Sequence, residues 1–284
     1  MYTTFISPAE LSSHLDDPLW RIIDCRFDLA NPAWGEQDYQ RAHIPGAVFA
    51  DLNRDLSAPI TPTSGRHPLP APQDFIALLK RLGVSENTQV VVVDTVAGAF
   101  AARLWWMLRY YGHSAVAVLE GGLAHWQRQG YPLSSGSESC PPGQFHGEPQ
   151  PNWTVTTAEL DVLRHDPRYR IIDARAAERY RGESEPIDAI AGHIPGAVNR
   201  PHLQNLARGS LLLPAETLRQ QFLELLGDIP PQNAIVYCGS GVTSCFHILA
   251  MHHAGLHGAR LYVGSWSEWI RDPQRPIATG PQPG

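Results

Sequence analysis

The sequence predicts an α/β protein written twice, each copy a mostly parallel sheet with helices on both faces. Three observations carry this. Four sequence blocks recur in the same order across the chain. Short apolar runs alternate with helix-length amphipathic stretches. The second copy also contains an apolar strand that ends in a glycine-bracketed loop and then a helix.

The repeat comes first, because it sets the domain count. Arg21-Ile22-Ile23-Asp24-Cys25-Arg26 returns as Arg170-Ile171-Ile172-Asp173-Ala174-Arg175, and His43-Ile44-Pro45-Gly46-Ala47-Val48 as His193-Ile194-Pro195-Gly196-Ala197-Val198. Val91-Val92-Val93-Asp94 parallels Ile235-Val236-Tyr237-Cys238, and Gly121-Gly122-Leu123-Ala124-His125-Trp126 parallels Gly264-Ser265-Trp266-Ser267-Glu268-Trp269. The offset drifts only from 150 to 143 residues. Solenoid repeats are far shorter, roughly 20–50 residues, so the reading is two domains: 1–133, a linker over 134–153 rich in Ser, Pro and Gly, and 154–284.

In the second copy the apolar runs are Tyr169–Asp173, Ala197–Val198, Ala234–Tyr237 and Arg260–Val263. Helices are expected near Thr157–Arg164, Pro214–Leu226 and Thr243–Ala254. Strands joined through helices demand parallel pairing, and parallel sheets bury both faces. Trp105, Trp106 and Leu108 of the first copy are expected on a helix, packed in the core or between the domains. Ligands of such sheets bind beyond the carboxyl ends of the strands, so the residues just after each apolar run are the ones to weigh.

There the copies differ. The first places Asp94 after its strand, the second Cys238 followed by Gly239-Ser240-Gly241-Val242-Thr243. Glycines at 239 and 241 let the loop amides turn inward around the sulfur. Inward amides and a helix N-terminus favour the thiolate and would hold an anionic sulfur one bond further out. Cys238 is therefore the candidate nucleophile. Cys245 falls on the following helix and reads as core or as a resolving thiol; Cys25 and Cys140 lack such a setting. Cysteine phosphatases place Arg six residues after the cysteine, where this chain has Ser244, so the phosphate clamp is missing.

On these residues, together with Val93-Asp94, Arg103-Leu104-Trp105-Trp106-Met107 and both His-Ile-Pro-Gly-Ala blocks, the chain resembles the rhodanese family of two-domain sulfurtransferases over nearly its whole length. Thiosulfate enzymes of that family carry Cys-Arg-Lys-Gly-Val-Thr. Cys238-Gly239-Ser240-Gly241-Val242-Thr243 is similar to the 3-mercaptopyruvate branch instead. The resemblance implies an inactive first domain, with Asp94 in the cysteine position, and a catalytic second one. It implies a Cys238 persulfide passed to a thiol, cyanide or thioredoxin, with no metal or organic cofactor. Thiosulfate as donor, and a persulfide relay serving a protein acceptor, are the alternative readings.

Arg179 matches the family's first substrate arginine, with Arg181 as a further candidate. No arginine stands where the second is expected; Pro186-Ile187-Asp188 does, and Arg200 is the candidate substitute. Gly239, Gly241, Val242 and Thr243 would cradle the sulfur. A proton relay is implied through Ser240 and His67; its acid position holds Asn53, with Asp51 two residues earlier. Trp266 is a candidate pocket wall. His43 and His193 are expected to fix loop geometry.

Composition excludes other classes. Of the 22 basic residues only Lys80 is lysine, and it matches no Schiff-base or P-loop motif. A net charge of −6 argues against a generic nucleic-acid binder. No apolar run approaches the roughly 18 residues of a membrane span, and Met1–Phe5 lacks a signal peptide's basic and apolar regions; a cytoplasmic protein is expected. The cysteines form no C-x-x-C pair, and His247, His252, His253 and His257 read as helix surface rather than a metal site.

Overall fold

A computed structural model describes residues 1–95, 97–207 and 210–284. They fall into two units. The first comprises Met1–Ala58 and Leu69–Gln150 with the described part of Arg208–Leu212; the second comprises Pro59–Pro68, Pro151–Ala207 and Leu213–Gly284. Pro59–Pro68 thus lies in the first sequence copy but packs as part of the second unit. Most of the expected linker packs with the first unit: Gly136 N–H donates to Gln40, Gly143 N–H to Lys80 and Gln150 N–H to Tyr110, each at 2.8 Å.

The first unit runs β1 (Phe5–Ile6), α1 (Pro8–Ser12), β2 (Trp20–Asp24), α2 (Trp34–Arg41), β3 (Val48–Phe49), α3 (Pro72–Arg81), β4 (Gln89–Val93), α4 (Ala101–Tyr110), β5 (Val116–Leu119) and α5 (Gly122–Arg128). Its sheet has the order β1-β5-β4-β2-β3, every pairing parallel. Every residue of the central strand β4 is buried, as a strand covered on both faces requires. Val91 and Val93 pack with Leu11 of α1 and with Leu123 and Trp126 of α5. Val90 and Val92 point to the opposite face by strand alternation. Helix α4, buried from Ala101 to Leu108 and so including Trp105, Trp106 and Leu108, packs on β4 and β5.

The second unit repeats the plan: β6 (Thr154–Val155), α6 (Thr157–Leu163), β7 (Arg170–Asp173), α7 (Ala177–Tyr180), β8 (Ala197–Asn199), α8 (Ala215–Leu226), β9 (Ala234–Tyr237), α9 (Thr243–His253), β10 (Arg260–Tyr262) and α10 (Ser265–Trp269). Its order, β6-β10-β9-β7-β8, is the same five-strand arrangement, again all parallel. Both copies start alike. Ser7 and Thr156 accept from the amides of Glu10 and Glu159, whose carboxylates reach back to them, closing a capping box on α1 and on α6. From β7 the chain moves outward to β8; from β9 it moves the other way to β10. The chain connections therefore diverge between β7 and β9, the place where sheets of this kind form their ligand crevice, outside the carboxyl ends of the strands.

The His-Ile-Pro-Gly blocks are clips. The His193 Nδ1 lies 2.8 Å from the Tyr180 carbonyl, the two rings stack at 3.7 Å, and the Tyr180 hydroxyl donates to the Ala197 carbonyl at 2.6 Å. His43, Tyr39 and Ala47 repeat this in the first unit at 2.7, 4.2 and 2.6 Å. A buried carbonyl that loses its donor costs roughly 1–3 kcal/mol. Tyr180→Phe is expected to lower unfolding stability by about that much, read as a shift of the denaturant midpoint at unchanged slope.

Candidate active site

Strand β9 delivers Cys238 to the crevice, and the loop to α9 wraps its sulfur. The Cys238 amide donates to Ser265 Oγ at 3.1 Å, its carbonyl accepts from Trp266 N–H at 3.0 Å, and the Gly239 carbonyl accepts from Ser267 N–H at 2.9 Å. Gly241 is left-handed, with φ +74°, and a Cβ there would lie 2.4 Å from the Val263 carbonyl oxygen. Only glycine fits both conditions.

The Cys238 thiol is 2% exposed. Burial alone would push it up. Hydrogen bonds from the Ser244 and Thr243 hydroxyls and the Ser240 and Ser244 amides outweigh that and hold it below the ordinary thiol value. The Ser244 hydroxyl lies 3.4 Å from the sulfur. Cys25 supplies the control: equally buried, it is pushed well up by desolvation and by Asp24, Asp94 and Asp55. The first unit offers a second comparison. The Asp94 carboxylate follows β4 as Cys238 follows β9, and accepts from the amides of Gly98, Phe100 and Ala101 at 2.8, 2.7 and 2.9 Å. The same loop holds a fixed carboxylate in one copy and a thiol in the other.

Ser240 and His67 meet. The His67 Nδ1 lies 2.8 Å from Ser240 Oγ, both side chains buried. His67 reaches the loop because 59–68 belongs to the second unit. Asp51 and Asn53 belong to the first unit, where Asp51 Oδ1 accepts from the amides of Asn53 and Arg54, each at 2.8 Å.

Arg179 flanks the loop but is heavily engaged. Its Nε lies 3.0 Å from both Glu185 oxygens, and its Nη2 is 2.7 Å from Glu185 and 3.0 Å from Asp188. Burial pushes Glu185 up, but Arg179 and the amides of Asp188 and Ile187 leave it below the usual carboxylate value. Behind it Arg175 binds Asp173 at 2.6 Å and Glu185 at 3.3 Å. Arg66 reaches the same loop. Its Nη1 binds Asp188, and its Nη2 lies 3.0 Å from where a Gly239 Cβ would be. Sequence reasoning missed Arg66; the one signal available was its position directly before His67.

The remaining candidates are placed elsewhere. Arg181 pairs with the exposed Glu183 at 2.7 Å. Arg200 binds Asn205 and Gln221 and stacks over Phe222 at 4.2 Å; burial lowers it to about 10. Trp266 is fully buried beneath Arg175 rather than lining an open wall. His247, expected on the helix surface, is fully buried edge-on to Phe222, because α9 is covered on this side by α8. Among the described residues no group of three His, Cys, Asp or Glu could hold a metal ion, and no helix is long and apolar enough to cross a membrane.

A depressed thiol reaches its thiolate form at lower pH, so alkylation of Cys238 should already be fast below the ordinary thiol range. Ser244→Ala removes the hydroxyl that lowers the thiol most. The inflection of the iodoacetamide rate against pH should then move upward, checked by mass spectrometry of the labelled peptide. An unmoved inflection would show that the hydroxyl does not hold the thiolate.

Comparison with known proteins agrees with this geometry. The chain matches the rhodanese-like domain twice, over residues 7–129 and 156–272. It is 46% identical over 277 residues to a "Probable 3-mercaptopyruvate sulfurtransferase" of Pseudomonas aeruginosa, covering 97% of this chain and 98% of the relative. A Mycobacterium tuberculosis relative with the provisional name thiosulfate sulfurtransferase SseB is 37% identical over 283 residues, covering 97% and 96%. The structure of 3-mercaptopyruvate sulfurtransferase from Leishmania major superposes with a TM-score of 0.84 at 33% identity, covering 95% of this chain and 76% of that one. The repeated domain, the shared sheet order and the cysteine loop have one explanation: the chain belongs to the rhodanese family of two-domain sulfurtransferases.

Proposed function

We propose that the protein transfers a sulfur atom from 3-mercaptopyruvate, through a persulfide on Cys238, to a small thiol, a reduced thioredoxin or cyanide in the cytoplasm. The observation that carries this is the buried Cys238 thiol held below its ordinary value by surrounding hydroxyls and amides, with the His67–Ser240 pair on the same loop.

The Cys238 thiolate attacks the donor sulfur. The donor's carbon–sulfur bond breaks, and its electron pair leaves as the enolate of pyruvate. The enolate takes up one proton to give pyruvate, and the donor's own S–H becomes the terminus of the persulfide. The Ser240 hydroxyl, hydrogen-bonded to His67, is the group placed to polarise the donor carbonyl and pass a proton to the enolate. The persulfide gives its S–H proton to solvent, and the resulting anion sits where the amides and the α9 N-terminus already favour negative charge. An acceptor nucleophile attacks the outer sulfur, and the Cys238 thiolate returns.

Thiosulfate is the second reading, favoured by the name of the mycobacterial relative. Against it, Gly239 and Ser240 put no cation on the loop itself.

Pyruvate release and thiocyanate formation are measured with each donor. The wild type is expected to favour 3-mercaptopyruvate. Cys238→Ser should abolish turnover and the one-sulfur gain in intact mass; a serine variant that keeps turnover would refute the assignment. Losing the proton-handling group should cost roughly a hundredfold in kcat, so Ser240→Ala and His67→Gln are each expected to fall by about that factor while still forming the persulfide.

A further inference from the structure

A buried cation without a counter-charge stands at the edge of the second sheet. Arg200 directly follows β8, the edge strand, and is 5% exposed. Its Nη1 donates to Asn205 Oδ1, its Nη2 donates to Gln221 Oε1 at 2.8 Å, and its guanidinium lies over the Phe222 ring at 4.2 Å. Both oxygens belong to neutral amides, and among the described residues no carboxylate lies within ion-pair distance. Burial lowers Arg200 to about 10, which still leaves it a cation at neutral pH. Other buried guanidinium groups are treated differently. Arg26 binds Asp24 and Asp38, and Arg175 binds Asp173 and Glu185. A lone buried charge is among the costliest groups a fold can carry.

Two further groups nearby lack acceptors. Asn205 is fully buried, and while its Oδ1 serves Arg200, the Nδ2 at the other end of the same amide has no hydrogen-bond partner. His247 is fully buried with neither ring nitrogen bonded. Its ring meets Phe222 edge-on at 4.9 Å, the same ring that Arg200 covers. Burial, Arg200 and His202 all oppose its protonation, and a neutral imidazole still carries one N–H to donate. Buried polar groups are normally bonded, and each exception calls for a ligand, an ion or a water. Here the cation and the unmade donors ask for one thing, an acceptor with negative charge.

There is room for it. An open cavity of about 520 Å³ is lined by Arg200, Asn199, Gln204, Gln221, Glu224 and Leu225, within the size range of small-molecule sites. Side-chain amides dominate the wall. Glu224, its one acid, is exposed, and its carboxylate accepts from Gln220 at 3.0 Å. The frame is held by backbone bonds. Asn199 Nδ2 donates to the Asp173 and Arg175 carbonyls, each at 3.0 Å, and the Asn205 carbonyl accepts from Leu213 N–H at 2.9 Å.

We propose that this cavity is a second ligand site, separate from the cysteine loop, which receives the carboxylate or phosphate group of a small metabolite on Arg200 and Asn205 Nδ2. Gln221 Oε1 is the neutral stand-in for one oxygen of that anion. Asn199, Gln204 and Leu225 face the body of the metabolite. The site is independent of the sulfur-transfer chemistry.

Calorimetric titration of the full-length protein, in a buffer free of other oxyanions, uses inorganic phosphate in one arm and succinate in the other. At least one should bind with a Kd of roughly 1 mM, and the tighter arm identifies the group. Arg200→Gln should weaken that binding at least roughly tenfold, the worth of a charge-assisted hydrogen bond. Arg179→Gln, which removes a cation beside the cysteine loop, should leave it unchanged. Gln221→Glu supplies the missing anion from within: it should abolish binding and raise the melting temperature by about 3 °C. Should Arg200→Gln lose its cooperative melting transition, Gln221→Glu decides alone. Neither anion binding, binding that survives Arg200→Gln or disappears with Arg179→Gln, or a Gln221→Glu protein that melts lower than the wild type would overturn the proposal.

Discussion

Negative charge in a dry interior has to be bonded, and the loop between the fourth strand and the following helix of each unit meets that requirement. In the first unit three amides converge on the Asp94 carboxylate; in the second, amides and two hydroxyls converge on Cys238. The loop geometry depends on close backbone approaches. Gly241 lies against Val263, and Ser265, held in a left-handed conformation at φ +55°, accepts from the Cys238 amide while donating to the Tyr262 carbonyl at 2.9 Å. A non-glycine residue in that conformation is uncommon and costs of order 1 kcal/mol or more, which packing around the fully buried Ser265 must offset. Cys25 shows what burial does to a thiol without such donors: it becomes a poor nucleophile.

Two unit-level features put chemistry on this loop. The chain connections diverge between β7 and β9, so the residues after these strands face one crevice. The Asp173–Arg175 pair after β7 then anchors Glu185, which anchors Arg179. A buried ion-pair chain of this kind contributes little net stability, because desolvation consumes most of the attraction. Its effect is positional. Each guanidinium is held from two sides, so its remaining donors point in a fixed direction.

Much of this was legible in the sequence, and the limits have physical causes. The repeat gave two sheets, and apolar runs gave β7 to β10 to within about a residue, because a strand buried on both faces leaves a continuous apolar signature. The two-residue edge strands β1 and β6 leave no such signature. The cysteine loop was legible through its glycines, whereas the meeting of Ser240 with His67 was implied only by the family resemblance, since nothing local joins residues 173 apart in sequence. Arg66 was hidden, since its direction is fixed by Gly65 meeting Gly264, roughly two hundred residues further on. Asp188 was read only as a missing arginine, whereas its carboxylate is the feature that organises the two arginines present. Burial undid the other candidates. Trp266 and Arg200 have suitable chemistry, but one lies under Arg175 and the other is turned to Asn205 and Gln221.

The near absence of lysine fits this arrangement. A guanidinium can bind one carboxylate edge-on and still offer a further N–H to a second, as Arg179 does with Glu185 and Asp188 and Arg175 does with Asp173, Glu185 and the Gly192 carbonyl at 2.7 Å. An ammonium presents three rotatable donors around a point charge and cannot hold two planar carboxylates in register. It also loses its proton more readily when buried, whereas Arg200, with burial acting against it, still falls only to about 10. A cluster that must keep its cations charged, dry and aimed is therefore one that arginine can build and lysine cannot.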